Sequence, residues 1–158
     1  MTVENLEAAG MERMDAAQID AFLTTQGVGV LGLSDGGVPY LLPMSFGYDD
    51  GTLYFTFLVD GESRKERLVE TGDSAAFLVY DAATPFQWQS VGLGGTIEAV
   101  PPAEWDDTAG VMDNAWRPDI FENADAAEVR VYRFVVDERT GYKHTGLPAG
   151  FERGVGGE

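Results

Sequence analysis

Two turn signals set the folding options of this chain. Asp35-Gly36-Gly37 and Asp49-Asp50-Gly51 interrupt a stretch from Val28 to Val59 that is otherwise rich in apolar, β-branched and aromatic residues. Such Asp/Gly clusters supply the backbone conformations that tight hairpins need, and the runs between them have the length and composition of strands. The expected segments are Val28–Ser34, Val38–Tyr48 and Thr52–Val59, joined as an antiparallel meander. Further strands are expected at Ser74–Asp81, at Trp88 to Val100 after a loop around Pro85, at Val129–Asp137, and near Tyr142–Thr145.

Helical signals are fewer. After a polar lead-in over residues 1–13, Asp15-x-x-Gln18 forms a capping-box pattern, with Met14 placed to staple to Ile19. That helix is expected to run through Ala21, Phe22 and Leu23 and to stop at Gly27. A short helix is expected at Ser63–Thr71, and Pro101-Pro102 begin a helical excursion to about Ala127. Six or so strands, joined mostly by hairpins with helices inserted, imply an antiparallel barrel with flanking helices. A doubly wound α/β sheet would need strands and helices to alternate, and here they do not. Residues 1–153 are expected to form one domain, with a disordered glycine-rich tail over 154–158.

One motif is deceptive. Gly27-Val28-Gly29-Val30-Leu31-Gly32 matches the dinucleotide-binding fingerprint letter for letter. That fingerprint works only when a strand precedes it and a helix follows, so that the helix N-terminus meets a pyrophosphate. Here a helix precedes and a strand follows. Gly29 and Gly32 are better read as strand positions of close approach, and Gly92-Leu93-Gly94-Gly95 lies inside a strand.

Composition narrows the function classes. The 158 residues carry 27 acidic and 10 basic side chains, a net charge of −17. A basic face for nucleic acid or anionic membrane is therefore not expected. The hydrophobic fraction of 44% is ample for a core, which argues against disorder. Only Lys65 and Lys143 are lysines, and an acidic, lysine-poor surface suits a cytosolic protein of a halophile. Near molar salt the screening length is about 3 Å, so self-repulsion is muted. The chain has no cysteine, which excludes disulfides, thiolate metal sites and cysteine catalysis. No apolar run approaches the ~18 residues of a membrane span. His144, the only histidine, cannot build a metal site alone, and no nucleophile elbow supports a triad drawn from Ser90 and His144.

The chemically informative stretch is Asp60-Gly61-Glu62-Ser63-Arg64-Lys65-Glu66-Arg67. Ser63-x-x-Glu66 is a second capping box, which puts Arg64 and Lys65 in the first helical turn. Cations are unfavourable there because the helix dipole presents positive charge at that end. Free amide donors, a hydroxyl and two cations converge on one spot, the chemistry that binds phosphate. The alternative is that Arg64, Lys65 and Arg67 pair with Glu62, Glu66 and Glu70 along a solvated helix face.

Leu53-Tyr54-Phe55-Thr56 followed by Gly61-Glu62-Ser63-Arg64-Lys65 resembles the FMN-binding split-barrel family typified by pyridoxamine 5′-phosphate oxidase. Ser74–Tyr80 resembles that family's next core strand, and Trp88-Gln89-Ser90-Val91 closing on Gly94-Gly95 resembles its Gln-bearing strand. The resemblance covers roughly Val28 to Val100 and implies a six-stranded antiparallel split β-barrel. It further implies an FMN-dependent oxidoreductase with the flavin held at a homodimer interface. Ser63, Arg64 and Lys65 would grip the FMN phosphate, and Phe55 and Thr56 would line the ribityl and ring region. Gln89, with Ser90 beside it, would reach the flavin from the other subunit. Met44 and Ser45 would pass along the isoalloxazine, and Trp116 would cover it. No acid or base stands out as catalytic. Oxidases proper end in an Arg-x-Glu-x-Trp segment, whereas this chain ends Gly150-Phe151-Glu152-Arg153-Gly154 and onward without it. Pyridoxamine phosphate is therefore not the expected substrate. Related readings are a deazaflavin-dependent reductase and a flavin carrier or sensor without turnover.

Overall fold

A computed structural model describes residues 7, 10–58, 64–70, 74–105, 111 and 129–146, with Phe57, Leu58, Lys65, Glu66, Glu70, Val129 and Thr145 described by backbone alone. Ser63, Trp116, most of the 102–127 excursion and the 154–158 tail lie outside the described residues. The order of elements is β1 (Met11–Arg13), α1 (Ala16–Thr25), β2 (Val28–Asp35), β3 (Val38–Ser45), β4 (Gly47–Asp49) and β5 (Thr52–Leu58). Then follow α2 (Arg64–Glu70), β6 (Ser74–Thr84), β7 (Gln87–Ala99), a 3₁₀ turn (Pro102–Glu104) and β8 (Val129–Thr145).

Both turn signals are hairpins. Gly36, Gly37, Asp50 and Gly51 all take positive φ, as a tight reversal requires. The strands do not continue as one meander, however. They form an eight-stranded antiparallel sheet in the order β3-β2-β6-β7-β8-β5-β4, with β1 added beside β8. The segment expected as one strand over Val38–Tyr48 breaks at Phe46. Its first part pairs with β2 and its second with β5, at opposite ends of the sheet order. One buried residue therefore carries the chain from one end of the sheet to the other, which curls the sheet into a barrel. Phe46 is fully buried, and its amide donates to the Gly27 carbonyl at 3.0 Å.

The interior is aromatic. Phe46, Phe55, Phe77 and Phe134 are all essentially inaccessible. Phe77 stacks on Phe55 at 5.2 Å between centroids and meets Phe46 edge-on at 5.4 Å. Burying each ring contributes about 1.5–3 kcal/mol, which makes this cluster the main anchor of the barrel. Gly29 is bare because a Cβ there would overlap the Phe77 ring and come within 2.7 Å of the Leu78 carbonyl oxygen. Gly32 has no such pressure, since its nearest neighbour, Leu41 Cδ2, would lie 3.4 Å away.

The expected strands at Val129–Asp137 and Tyr142–Thr145 are one continuous strand of 17 residues. Its polar middle bends rather than breaks. Gly94 opposes Glu138 while Gly95 opposes Val136, so Asp137 bulges out and the inward alternation shifts by one. The residues expected as a polar lead-in include β1, which pairs antiparallel with Arg13 opposite Tyr142.

Helix α1 begins as its sequence dictates. Asp15 accepts from the Gln18 amide at 2.8 Å, and the Asp15 amide donates to Gln18 Oε1 at 2.9 Å. Met14 and Ile19 both pack on Gly141, where a Cβ would meet each at about 3 Å. The helix ends at Gln26, in extended conformation, rather than through a left-handed Gly27. Ile19, Phe22 and Leu23 of α1, and Leu68 and Val69 of α2, close over the core.

Candidate functional site

Helix α2 starts at Arg64, and the β2–β3 hairpin meets it there. Arg64 Nε donates to Asp35 Oδ2 at 2.6 Å, and Arg64 Nη2 lies 2.6 Å from the same oxygen. The guanidinium carbon sits 4.4 Å from the centroid of the Tyr40 ring. Among the described side chains, the partner of Arg64 is thus a turn aspartate 29 residues away in the sequence. Lys65 follows Arg64 on α2. Asp35 was legible as a turn former, but nothing local marked it, or Tyr40, as a neighbour of Arg64.

The other expected site residues fall in different places. Met44 is buried in the core opposite Gly29, and Ser45 is half-buried at the end of β3 opposite Val28. Phe55 points into the barrel, stacked on Phe77, whereas Thr56, next along β5, is half-buried on the other face opposite Val131. Gln89 and Ser90 are likewise on opposite faces of β7, as the twofold period of a strand demands. Gln89 borders a small cavity of about 150 Å³ with Asp81, Trp88 and His144. His144 Nδ1 lies 2.7 Å from the Phe86 carbonyl oxygen, which can only accept, so that nitrogen carries the hydrogen. Ser90 continues the outward row that contains Gly92 and Gly94.

That row runs into an open concavity, a groove of about 500 Å³ on the outer wall of the barrel. The register explains its shape. Leu41, Gly32, Ala76, Gly94 and Glu138 stand side by side across five strands, and Pro43, Val30, Leu78, Gly92 and Thr140 form the neighbouring row. The first row has almost no side-chain volume at its centre, so its floor is backbone. A Cβ on Gly92 would meet nothing within 4 Å, and one on Gly94 nothing nearer than 3.8 Å. These glycines relieve no crowding within the chain. Around the groove the wall is largely apolar and uncovered: Val28, Leu41, Leu78 and Tyr80 are each at least 40% exposed. The groove and the Arg64 corner share strands β2 and β3 but lie on different faces of them.

A third cluster ties α1 to the barrel. Asp20 Oδ1 accepts from the Tyr48 hydroxyl at 2.5 Å and from Arg139 Nη1 at 2.7 Å. The Tyr48 hydrogen bond, helped by Arg139, holds the Asp20 carboxyl below its ordinary range. Desolvation, then the bond to Asp20, pushes Tyr48 up to about 12. Among the described residues no three potential metal ligands cluster, and no helix is long and apolar enough to cross a membrane.

Comparison with known proteins agrees with this architecture. A FAD-binding protein from Mesorhizobium loti is 21% identical, with a TM-score of 0.67 over 85% of this chain and 99% of its own. The FAD and heme binding protein of Mycobacterium smegmatis is 18% identical, with a TM-score of 0.69 over 88% of this chain and 75% of its own. A FAD binding protein from the same organism is 18% identical, with a TM-score of 0.65 over 85% of this chain and 100% of its own. At these identities the likeness concerns the fold. No curated protein matches the chain. The sequence model described as pyridoxamine 5′-phosphate oxidase matches residues 15–143, from the capping aspartate of α1 nearly to the end of β8, and the chain belongs to that family.

Proposed function

We propose that this chain is a flavin-binding homodimer that uses FMN in oxidoreductase chemistry, in a salt-rich cytoplasm, on a substrate other than pyridoxamine phosphate. The observation that carries the reading is the outer wall. A row of Gly32, Ala76 and Gly94, bare for no reason internal to the chain, is framed by exposed Leu41, Leu78 and Tyr80. A flat apolar wall floored by backbone fits a planar ring or the facing wall of a second copy, and a two-fold axis would use it twice. Family membership supports the same reading, as do fold neighbours described as FAD-binding.

Bound flavin would supply hydride transfer, and the protein would supply position and electrostatics. Arg64 and Lys65, with Ser63, would hold the phosphate, and Ser90, on the groove's face of the second copy, would meet the ring's polar edge. Met44, Ser45, Phe55, Thr56, Gln89 and Trp116 complete the proposed set. Met44 and Phe55 have core side chains, so they would act through backbone and packing.

Absorption of protein purified in high salt tests this first. Flavin bands, or uptake of added FMN, are expected, and a colourless protein that takes up neither FMN nor FAD refutes the reading. Replacing Arg64 and Lys65 together by Ala should weaken FMN by tenfold or more, because each charge-assisted bond is worth about 1.5–3 kcal/mol. Riboflavin, which lacks the phosphate, should be little affected. Equal losses for both would refute the phosphate assignment. Bleaching by a nicotinamide donor is expected of an enzyme, and flavin that no donor reduces would leave a carrier.

A further inference from the structure

We infer that Asp35 is a positioning residue, which together with the Tyr40 ring fixes the Arg64 guanidinium as a preformed receptor for the nucleotide phosphate. This rests on the flavin reading above and adds to it a residue outside the helix start. Arg64 opens a short helix whose dipole disfavours a cation in the first turn, so an unrestrained side chain would swing into solvent. Two contacts oppose that. Asp35 Oδ2 engages the Nε–Nη2 edge, with both nitrogens at 2.6 Å. The Tyr40 ring covers one face at 4.4 Å.

What these contacts leave open matters as much. A guanidinium carries five N–H donors in a rigid fork. Asp35 uses the inner edge, so the Nη1–Nη2 edge keeps its donors, and among the described residues no other acceptor meets it. That edge has the geometry that binds two phosphate oxygens at once. The hairpin makes the arrangement possible. Gly36 and Gly37, at φ 61° and 85°, reverse the chain directly after Asp35 and bring Tyr40 back beside it.

Asp35 has an opposing effect, since its charge repels a phosphate. The guanidinium lies between the two anions and keeps them several ångströms apart. In molar salt the screening length is about 3 Å, so repulsion at that distance is largely removed while the hydrogen-bonded positioning persists. Positioning therefore dominates in the salt regime that a chain of net charge −17 suits.

The test uses the full chain in molar KCl, with FMN and riboflavin affinities measured by fluorescence quenching. Wild type, Asp35→Ala, Asp35→Asn and Arg64→Ala are compared, each with a thermal melt. Asp35→Ala should weaken FMN about fivefold, the scale of ordering one long side chain, and leave riboflavin unchanged. Asp35→Asn retains an oxygen acceptor for Nε and should restore most of the loss. The FMN-to-riboflavin ratio decides, because partial unfolding would weaken both ligands alike. If Asp35→Ala leaves FMN unchanged or tighter while Arg64→Ala weakens it, the positioning role is wrong and the phosphate site stands. If Arg64→Ala affects both ligands equally, or wild type binds neither, the phosphate reading falls and the positioning role with it.

Discussion

Placing an arginine at Leu78 separates the fold of one copy from the association of two. Leu78 lies on the outer wall between Val30 and Gly92 and is 40% exposed in a single chain. Its side chain is on the face opposite the aromatic core, so Leu78→Arg should change the stability of one copy by no more than about 0.5 kcal/mol. In a two-fold interface the substitution occurs twice. An unpaired charge buried there costs about 3–5 kcal/mol, or two to three and a half decades in affinity at about 1.4 kcal/mol per decade. Two copies together cost about four to seven decades. Even a dimer with a Kd of ~1 nM would then be pushed to ~10 μM or weaker. Sedimentation equilibrium of wild type and Leu78→Arg in the same high-salt buffer reads this directly. The expected result is a dimer becoming a monomer, together with loss of bound flavin. A Leu78→Arg protein that remains dimeric at micromolar concentration, or a wild type that is monomeric throughout, would refute the wall as the interface.

Two further predictions concern the barrel itself. Tyr48→Phe removes the hydroxyl that donates to Asp20 at 2.5 Å, and should cost about 1 kcal/mol by urea unfolding, since the pair is partly solvated. Tyr48 is pushed up to about 12 from 10.0, so its contribution is complete below the unfolded value and is lost as pH rises toward 12. The gap between wild type and Tyr48→Phe should therefore narrow above about pH 10, and a gap that stays constant would refute the linkage. Gly95→Ala should destabilise by about 2 kcal/mol or more, because its Cβ would overlap the Val135 carbonyl oxygen and lie 3.2 Å from Phe134 Cε1. Gly94→Ala, with no neighbour nearer than 3.8 Å, should cost under about 0.5 kcal/mol. Both are best measured in the Leu78→Arg background, where association does not enter, and equal losses would refute the bulge packing.

The features legible in the sequence were those written within a few consecutive residues. The Asp15/Gln18 capping box, the hairpin glycines and the strand placement of Gly29 all depend on local conformation. The false dinucleotide motif fell to the same kind of argument: α1 precedes it and β2 follows it. Features set by which strands become neighbours were not legible. The segment expected as one strand over Val38–Tyr48 keeps its strand pattern on both sides of Phe46, and only the sheet order reveals the change of partner there. The run Glu138-Arg139-Thr140-Gly141 read as a break because a bulge at Asp137 shifts the alternation, leaving a bent strand with the signature of two short ones.

The same distinction explains why the site was only half visible. Arg64 and Lys65 stood out because three cations within four positions are conspicuous in a chain with only ten. Their environment did not, because Asp35 already had a sufficient local explanation as a turn residue. Its second role depends on the hairpin folding back to the start of α2. The outer wall was hidden in a similar way. Gly32, Ala76 and Gly94 are unremarkable singly and form a floor only when β2, β6 and β7 align them. A strand normally spends its outward positions on polar side chains when water is their only neighbour. Here successive outward positions hold Val30 and Gly32, Ala76 and Leu78, and Gly92 and Gly94, in a chain otherwise dense with acidic residues. Only Glu138, on β8, brings a charge to the groove's edge. Such a chain has no shortage of charge to place there on β2, β6 and β7 as well, so its absence from those three strands in the groove is best explained by an apolar surface that covers them.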